Sequence, residues 1–288
     1  MHLSGCLELE WFEAQGFQVS RLPVHSSMWI CALPMYDWPE IRSDVDTLWA
    51  ELRERFLAVG IDAPQHLVRC NGDMPAVPGG IRDAAGNVIA PDPASLPPEE
   101  FDLATLWRHP QLLFSQTCWG PLLTTGLAEH VRVIAQPDYS DVEGGRGESY
   151  SSAVVMRREG KPDAAAPMDG LPSLPLDQLR GARLAFNEPH SMSGLLALRD
   201  DLAASGEGLE IFSDQVATGG HRLSIRAVAE GRADVATIDC RSWHLARRHE
   251  PCASSLSVVG WTGLRKGLPY IRAAALPQGI LQYYPQLM

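Results

Sequence analysis

The sequence predicts an α/β fold of two lobes with a ligand cleft between them. Two observations support this prediction. Short apolar runs typical of buried strands alternate with helical patterns, and this alternation occurs on both sides of a Pro-, Ala- and Gly-rich segment at 161–175. Ligands of open α/β sheets bind beyond the carboxyl ends of the strands, so the gap between the lobes is the expected site.

The composition indicates a globular chain without metal or cofactor. The 288 residues are 45% apolar and 20% charged, which is too apolar for a disordered protein. The net charge of −11 argues against nucleic acid as a partner, because an acidic surface repels phosphates. No apolar run approaches the ~20 residues that span a bilayer. The six cysteines have no zinc-like spacing, so neither a metal site nor a cofactor is predicted.

The N-terminus gives the expectation about location. Leu3-Ser4-Gly5-Cys6 looks like a lipoprotein cleavage box, but it lacks the basic leader and the apolar stretch of about 7–15 residues that a secretory signal needs. The sequence as it stands therefore predicts a cytoplasmic protein, and a periplasmic one if the natural start lies upstream. Scattered free thiols also suit a reducing compartment.

The first half of the chain predicts a βαβ unit followed by a long loop. The apolar run at 28–36 is typical of a buried strand, and a helix follows from Ser43 until Gly60 stops it. A second strand is expected at 65–70, and the Pro- and Gly-rich stretch 71–98 is expected to be a surface loop. Further strands are predicted near 112–115 and 131–135.

The second half repeats this alternation. A β-prone run at 149–159 precedes the strand "GARLAFNEP", the helix "SMSGLLALRDDLAAS", the strand "LEIFSD", the helix "HRLSIRAVAEG" and the strands "ADVATID" and "SSLSVVGWTG". The predicted domain boundaries are 1–148 and 243–288 for a discontinuous first lobe, and 149–242 for the second.

Small polar donors stand where these strands end and helices begin. The sequence has neither the GxSxG motif of serine hydrolases nor a phosphate-binding GxxxxGK[ST] loop, and we assign no catalytic residue. Helix N-termini carry unpaired N–H groups and a partial positive charge, and hold anions without an arginine. An oxyanion site is therefore one interpretation of the following residues: Ser151, Ser152, Ser191, Ser193 and His221.

Each of these residues also has a purely structural interpretation. Ser191 or Ser193 would serve as a helix cap, the serine pair as ordinary strand residues, and His221 as an exposed first-turn residue. Asp239 would cap a helix that begins near Ser242. Three aromatic residues, Tyr36, Trp119 and Tyr150, would line either a ligand or the core.

The motifs in their order resemble a known family. They are "ALPMY", "SQTCWGPLL", "SYSSAVVMRRE", "LRGARLAFNEPHSMSGLLALR", "TGGHRLSIRAVAEGRADVATIDCRSW" and "GLPYI". Over residues 29–272 the chain resembles the phosphate/phosphonate substrate-binding proteins of ABC transporters, the PhnD-like group. This resemblance implies the type 2 periplasmic-binding-protein fold, in which two α/β lobes close on the ligand.

The resemblance also implies a role for each candidate residue. It implies that Ser151, Ser152, Ser191, Ser193 and His221 hold the oxyanion. It implies further that Asp239 accepts from an amine or a protonated oxygen of the ligand, and that Tyr36 and Trp119 form walls of the first lobe. Tyr150, which precedes Ser151 and Ser152, is also predicted to bind the ligand. Met192 stands where a small hydroxyl residue is common, which would make the pocket more apolar.

We therefore expect a solute-binding protein without catalysis. Its ligand would be small and anionic or zwitterionic, either phosphonate- or phosphate-like or an aminoalkyl acid, and its partner an ABC permease. Two alternatives use the same fold. One is a leaderless biosynthetic enzyme with His221 as general acid or base, and the other is a cytoplasmic sensor whose closure changes its affinity for another protein.

Overall fold

The computed structural model describes residues 29–158, 160 and 162–277. The lipoprotein-like motif Leu3–Cys6 lies outside this range. The strands are β1 (Ile30–Ala32), β2 (Ile81–Arg82), β3 (Val88–Ala90), β4 (Leu112–Gln116), β5 (Val131–Ala135), β6 (Gly145–Arg146), β7 (Ser149–Tyr150), β8 (Ser152–Arg157), β9 (Arg183–Phe186), β10 (Asp214–Ala217), β11 (Val235–Asp239), β12 (Leu256–Trp261), β13 (Arg265–Lys266) and β14 (Tyr270–Ala273).

Short helices connect these strands. They are α1 (Arg42–Ala58), α2 (Leu103–Arg108), α3 (Trp119–Thr124), α4 (Leu127–His130), α5 (Leu176–Leu179), α6 (Ala197–Ala204), α7 (His221–Ala229) and α8 (Cys240–His249). A π-helical turn, Met192–Leu196, leads directly into α6. Within the described residues, no helix combines the length and the apolar character needed to cross a bilayer.

The first lobe is built on a four-stranded sheet in the order β1-β4-β14-β5. β1 runs parallel to β4, and β14 lies antiparallel between β4 and β5. Helix α1 packs on this sheet through Trp49 and Phe56, whose rings meet Phe114 of β4 with centroids about 6 Å apart. These large rings are buried in the apolar core of this lobe.

The second lobe is built on a five-stranded sheet in the order β10-β9-β11-β8-β12. The first three strands are parallel, and β8 and β12 are antiparallel to their neighbours. Apolar side chains cover both faces, which explains why "ADVATID" is nearly continuous in apolar character rather than alternating. The small sheet β13-β7-β6 lies where the chain passes between the lobes.

The two-lobed α/β fold predicted from the sequence is confirmed. The lobe boundaries remain a proposal, which the strand order refines. Strand β12 pairs with β8 in the second sheet, although the predicted boundary at 243 would assign it to the first lobe. We propose that the chain returns to the first lobe between β12 and β14.

Two predicted strands are wrong. Residues 65–70 make a hydrogen bond from Val68 N to Cys31 O but form no strand, and β4 takes the place beside β1. The strand predicted in "LEIFSD" begins only at Asp214, because Leu209–Ile211 forms a 3₁₀ turn. The loop 71–98 contains a short hairpin of β2 and β3. At the two mispredicted strands an apolar run was too short to distinguish a strand from a packed turn.

Candidate ligand-binding site

The candidate residues meet at one edge of the second sheet. The parallel strands β9, β10 and β11 end at this edge, and each leads into a helix; the antiparallel strand β8 begins there. Ser193 follows β9, His221 begins α7, and Asp239 ends β11. Ser152 lies directly opposite Asp239 in the β8–β11 ladder, so both side chains point to the same face.

Ser193, His221 and Asp239 are in direct contact. Ser193 Oγ lies 2.8 Å from His221 Nε2, and Asp239 Oδ2 lies 3.3 Å from the same nitrogen. A Ser–His–Asp triad needs the serine and the carboxylate on opposite ring nitrogens. This arrangement is therefore not a proton relay. A carboxylate beside Nε2 favours the tautomer with its hydrogen there, which leaves the Ser193 hydroxyl hydrogen free to donate to another group.

His221 is held as a neutral imidazole. Burial lowers the pKa of His221 below its usual value, and the nearby Asp239 carboxylate opposes this shift only in part. The other nitrogen, Nδ1, is buried and makes no hydrogen bond within the described part of the chain. A neutral imidazole carries a single N–H, which here faces Ser193 and Asp239, so the ring holds Ser193 in place and leaves the Ser193 hydroxyl as the donor for an anion.

Both oxygens of the Asp239 carboxylate already accept hydrogen bonds from the protein. Its Oδ1 accepts from the Ser242 N–H at 2.9 Å and from the Tyr36 hydroxyl at 3.2 Å. Its Oδ2 accepts from Ser242 Oγ at 2.5 Å and faces His221. The carboxylate thus caps α8 and satisfies four donor contacts, which is close to its capacity. The capping interpretation agrees with this geometry.

Three tyrosines surround this carboxylate. The hydroxyls of Tyr36 and Tyr139 lie 3.1 Å apart, and the rings of Tyr139 and Tyr150 stack at 5.5 Å. Burial raises the pKa of Tyr36 well above its usual value, and the charge of Asp239 adds to this effect. All three hydroxyls therefore keep their hydrogens and act as neutral donors or acceptors.

Three further buried donors have no partner. The Tyr150 hydroxyl, Ser152 Oγ and Trp119 Nε1 make no hydrogen bond of acceptable geometry in the described residues. Tyr150 and Ser152 are almost completely buried. An unmet buried donor costs about 1–3 kcal/mol. Unmet donors at neighbouring positions, such as Tyr150 and Ser152, are the feature expected where a bound acceptor completes the site.

The two lobes are closed on each other at this place. A Cβ added to Gly120 of α3 would lie 1.7 Å from the carbonyl oxygen of His190, in the loop after β9. Thr124 Oγ1 lies 2.9 Å from His190 Nδ1, and the Met192 N–H donates to Cys118 Sγ at 3.3 Å. Met192 and Cys118 thereby form an apolar plug beside Trp119.

The open cleft expected from the sequence is accordingly not the form seen here. One depression of about 430 Å³ lies along α8, lined by Trp243, His244, Arg247 and Arg248 among others. Another of about 400 Å³ lies at 174–180. Neither is lined by the predicted site residues.

The predicted residues divide into two groups. The structure brings Tyr36, Ser193, His221 and Asp239 into one network, and Ser152 faces the same side as Asp239. Ser191 caps the π-helical turn through the Gly194 N–H, as a structural role would require. Ser151 is buried and contributes main-chain hydrogen bonds to Gly144 and Cys240. Trp119 borders the plug and carries Lys266 over its ring at 5.5 Å.

Sequence reasoning missed two members of the network. Tyr139 lies in a loop with no periodic pattern, and it contacts Tyr36 although they are 103 positions apart. For Ser242 the sequence suggested only a helix start that Asp239 would cap, as it does through the Ser242 N–H, and the second contact, from the Ser242 hydroxyl to Asp239, was not foreseen.

Comparison with known proteins supports this assignment of the fold. The family model described as the periplasmic phosphonate substrate-binding protein of ABC transporters matches residues 118–277, more than half of the chain. The chain belongs to this family. Members are non-catalytic binding proteins that hold a small solute and work with a permease, and the family is normally periplasmic. A comparison with curated proteins gave no match.

Solved structures share the fold of this substrate-binding protein. PhnD1 of Prochlorococcus marinus, solved with methylphosphonate, is 15% identical with a TM-score of 0.58, and the match covers 90% of this chain and 83% of that one. The binding component of an ABC phosphonate transporter of Pseudomonas aeruginosa is 14% identical with a TM-score of 0.54, covering 89% and 72%. A Xanthomonas citri protein bound to chloride is 14% identical with a TM-score of 0.55, covering 91% and 83%.

Proposed function

We propose that this substrate-binding protein holds a small phosphonate-type oxyanion among Tyr150, Ser152, Ser193 and His221. The observation that carries the proposal is that the Tyr150 and Ser152 hydroxyls are buried without a hydrogen-bond partner in the described part of the chain, while His221 holds the Ser193 hydroxyl with its hydrogen available. Each is neutral, and each comes from a different turn or strand end. Together they resemble the preorganised donors that stabilise an anion in a site shielded from water.

A tetrahedral oxyanion suits this arrangement better than a flat carboxylate. Donors reach the site from β7 and β8 on one side and from the starts of two helices on the other. A phosphonate presents three oxygens in different directions, whereas a carboxylate presents two in one plane. The methylphosphonate bound to the similar PhnD1 supports the same ligand class for this chain.

The organic part of the ligand is proposed to be small and uncharged. An ammonium group needs a carboxylate with free acceptor capacity, and the Asp239 carboxylate is filled by Ser242, Tyr36 and His221. Nearby, the plug of Cys118 and Met192 is apolar. We therefore favour an alkylphosphonate or phosphate over the aminoalkyl acid considered from the sequence.

Calorimetry tests this proposal most simply. The protein is unfolded, dialysed to remove any co-purified ligand, refolded, and titrated with methylphosphonate, phosphate, 2-aminoethylphosphonate and acetate. We expect binding of methylphosphonate or phosphate, and no advantage for the amine. At about 100 times its Kd the ligand adds about 2.7 kcal/mol, which raises the Tm by about 5–10 °C for a chain of this size.

Two results would count against the proposal. Binding of none of the phosphorus oxyanions would refute the ligand class. A preference for 2-aminoethylphosphonate over methylphosphonate by tenfold or more would show that a carboxylate is free to receive the amine, contrary to the geometry of Asp239.

A further inference from the structure

Arg222 joins the two lobes beside the candidate site. It follows His221 in the first turn of α7, in the second lobe. Its guanidinium donates to Glu40 at 2.9 and 2.7 Å through two nitrogens, and Glu40 lies in the 3₁₀ turn that leads into α1 of the first lobe. The same guanidinium lies over the Trp38 ring at 4.7 Å. This two-pronged geometry is the strongest form of an arginine–carboxylate pair.

Arg222 also makes an ion pair within its own lobe. Its Nε donates to Glu250 at 2.6 Å, and Arg226 of the same helix donates to that carboxylate at 2.9 and 3.1 Å. Glu250 is buried. The contact with Glu250 does not depend on the position of the first lobe, whereas the contact with Glu40 must break when the lobes separate.

The pair is fully charged under all ordinary conditions. The Arg222 guanidinium lowers the pKa of Glu40 to about 2. The exposed ion pairs Arg232–Glu230 and Arg180–Glu207 each join residues of the second lobe and are unaffected by closure. The Arg222–Glu40 pair differs from them because it spans the lobes next to a candidate ligand group.

We propose that Arg222 is a positioning residue that couples lobe closure to the ligand site. The ion pair with Glu40 holds the first turn of α7 against the first lobe. It thereby keeps His221 beside Ser193. The effect on ligand rests on the proposed function, whereas the effect on closure rests on the interlobe contact alone.

Glu40→Gln tests the coupling, with Glu230→Gln as the matched control. Both changes remove one exposed carboxylate from an arginine, but only the first removes a contact between lobes. In ligand-free protein we expect faster hydrogen exchange at 118–124 and 188–194 in Glu40→Gln alone. With methylphosphonate as probe, dissociation should become about two- to fivefold faster, and this difference should shrink at high salt.

A conservative variant distinguishes the effect of the two-pronged geometry of Arg222 from the effect of its positive charge. Arg222→Lys keeps one positive charge and loses the two-pronged geometry, so its effects should be intermediate. Equal exchange in wild type, Glu40→Gln and Glu230→Gln would overturn the coupling. If wild type binds no oxyanion, the proposed function fails, and the ligand-free exchange rates still decide whether Arg222 holds the lobes together.

Discussion

Ser152 carries a hydroxyl whose role in folding is opposite to its proposed role in binding. Its Oγ is buried without a partner, which costs the ligand-free protein stability. The same oxygen is expected to meet the ligand, where a hydrogen bond to a charged group contributes about 1.5–3 kcal/mol. Stability and affinity should therefore respond to its removal with opposite signs.

Ser152→Ala is predicted to raise the Tm of the ligand-free protein by about 2–4 °C, as expected for about 1 kcal/mol. Affinity for methylphosphonate should fall about 10- to 100-fold. Thermal unfolding and calorimetry measure the two effects. Ser257→Ala, a buried serine of β12 in the same sheet, should leave affinity unchanged. Loss of stability together with unchanged affinity would make Ser152 an ordinary strand residue.

His221 predicts a pH dependence of stability. Its pKa is lowered in the folded state by burial, so between that pKa and about 6.5 the unfolded chain binds more protons. The contribution of this pKa shift to the free energy of unfolding is fully present above about pH 6.5 and is lost as the pH falls toward the pKa of His221 in the folded protein. In ligand-free protein, His221→Gln should reduce the fall of Tm between pH 7 and pH 5.5.

The buried His109 titrates in the same direction because burial lowers its pKa too, so the remaining slope in His221→Gln should not be zero. An unchanged slope would show that His221 is exposed to water in the folded protein.

At the scale of elements, the capping of α8 organises the site. Asp239 ends β11 and accepts from the Ser242 N–H in the first turn of α8, and its carboxylate also accepts from the hydroxyls of Tyr36 and Ser242. A strand end, a helix start and a first-lobe tyrosine are thus fixed by one side chain.

Asp239→Ala is predicted to destabilise the protein by about 2 kcal/mol or more, because it removes a cap worth about 0.5–2 kcal/mol and leaves other buried donors unpaired. Asp102→Ala is the matched control. Asp102 caps α2 through the Thr105 N–H at 2.7 Å, and its loss should cost about 1 kcal/mol. Denaturant unfolding measures both. Equal losses would mean that the contacts of Asp239 with Tyr36 and Ser242 contribute nothing.

The sequence allowed the strands and helices of the second lobe to be predicted better than those of the first. β11 and α7 combine long apolar or helical patterns with clear boundaries, and they were found near their true limits. The strand expected at 65–70 was not found, because a short apolar run also packs as an extended loop. Contacts such as Tyr36–Tyr139 depend on how the chain folds back across 103 positions, which no local pattern records.

At the scale of the whole molecule, closure depends on backbone approach as well as on side chains. Gly120 allows α3 to touch the loop that carries His190. Within a helix, alanine is more favourable than glycine by about 1 kcal/mol, so a local effect of Gly120→Ala would be stabilising. Between the lobes, however, the added methyl group has no room.

Gly120→Ala is predicted to separate the lobes. Small-angle scattering of the ligand-free protein should show a larger radius of gyration, and the affinity for methylphosphonate should fall at least tenfold, because the contact of Cys118 with Met192 across the lobes is lost. A compact protein with normal affinity would mean that the His190 loop shifts easily and does not control closure.

Hydrogen–deuterium exchange with and without methylphosphonate tests the central claim most directly. The account predicts ligand-dependent protection in three segments that are distant in sequence, 150–153, 192–195 and 221–224, together with 118–121 across the interface. Protection confined to the surface around Trp243 and Arg247, with those four segments unchanged, would contradict it.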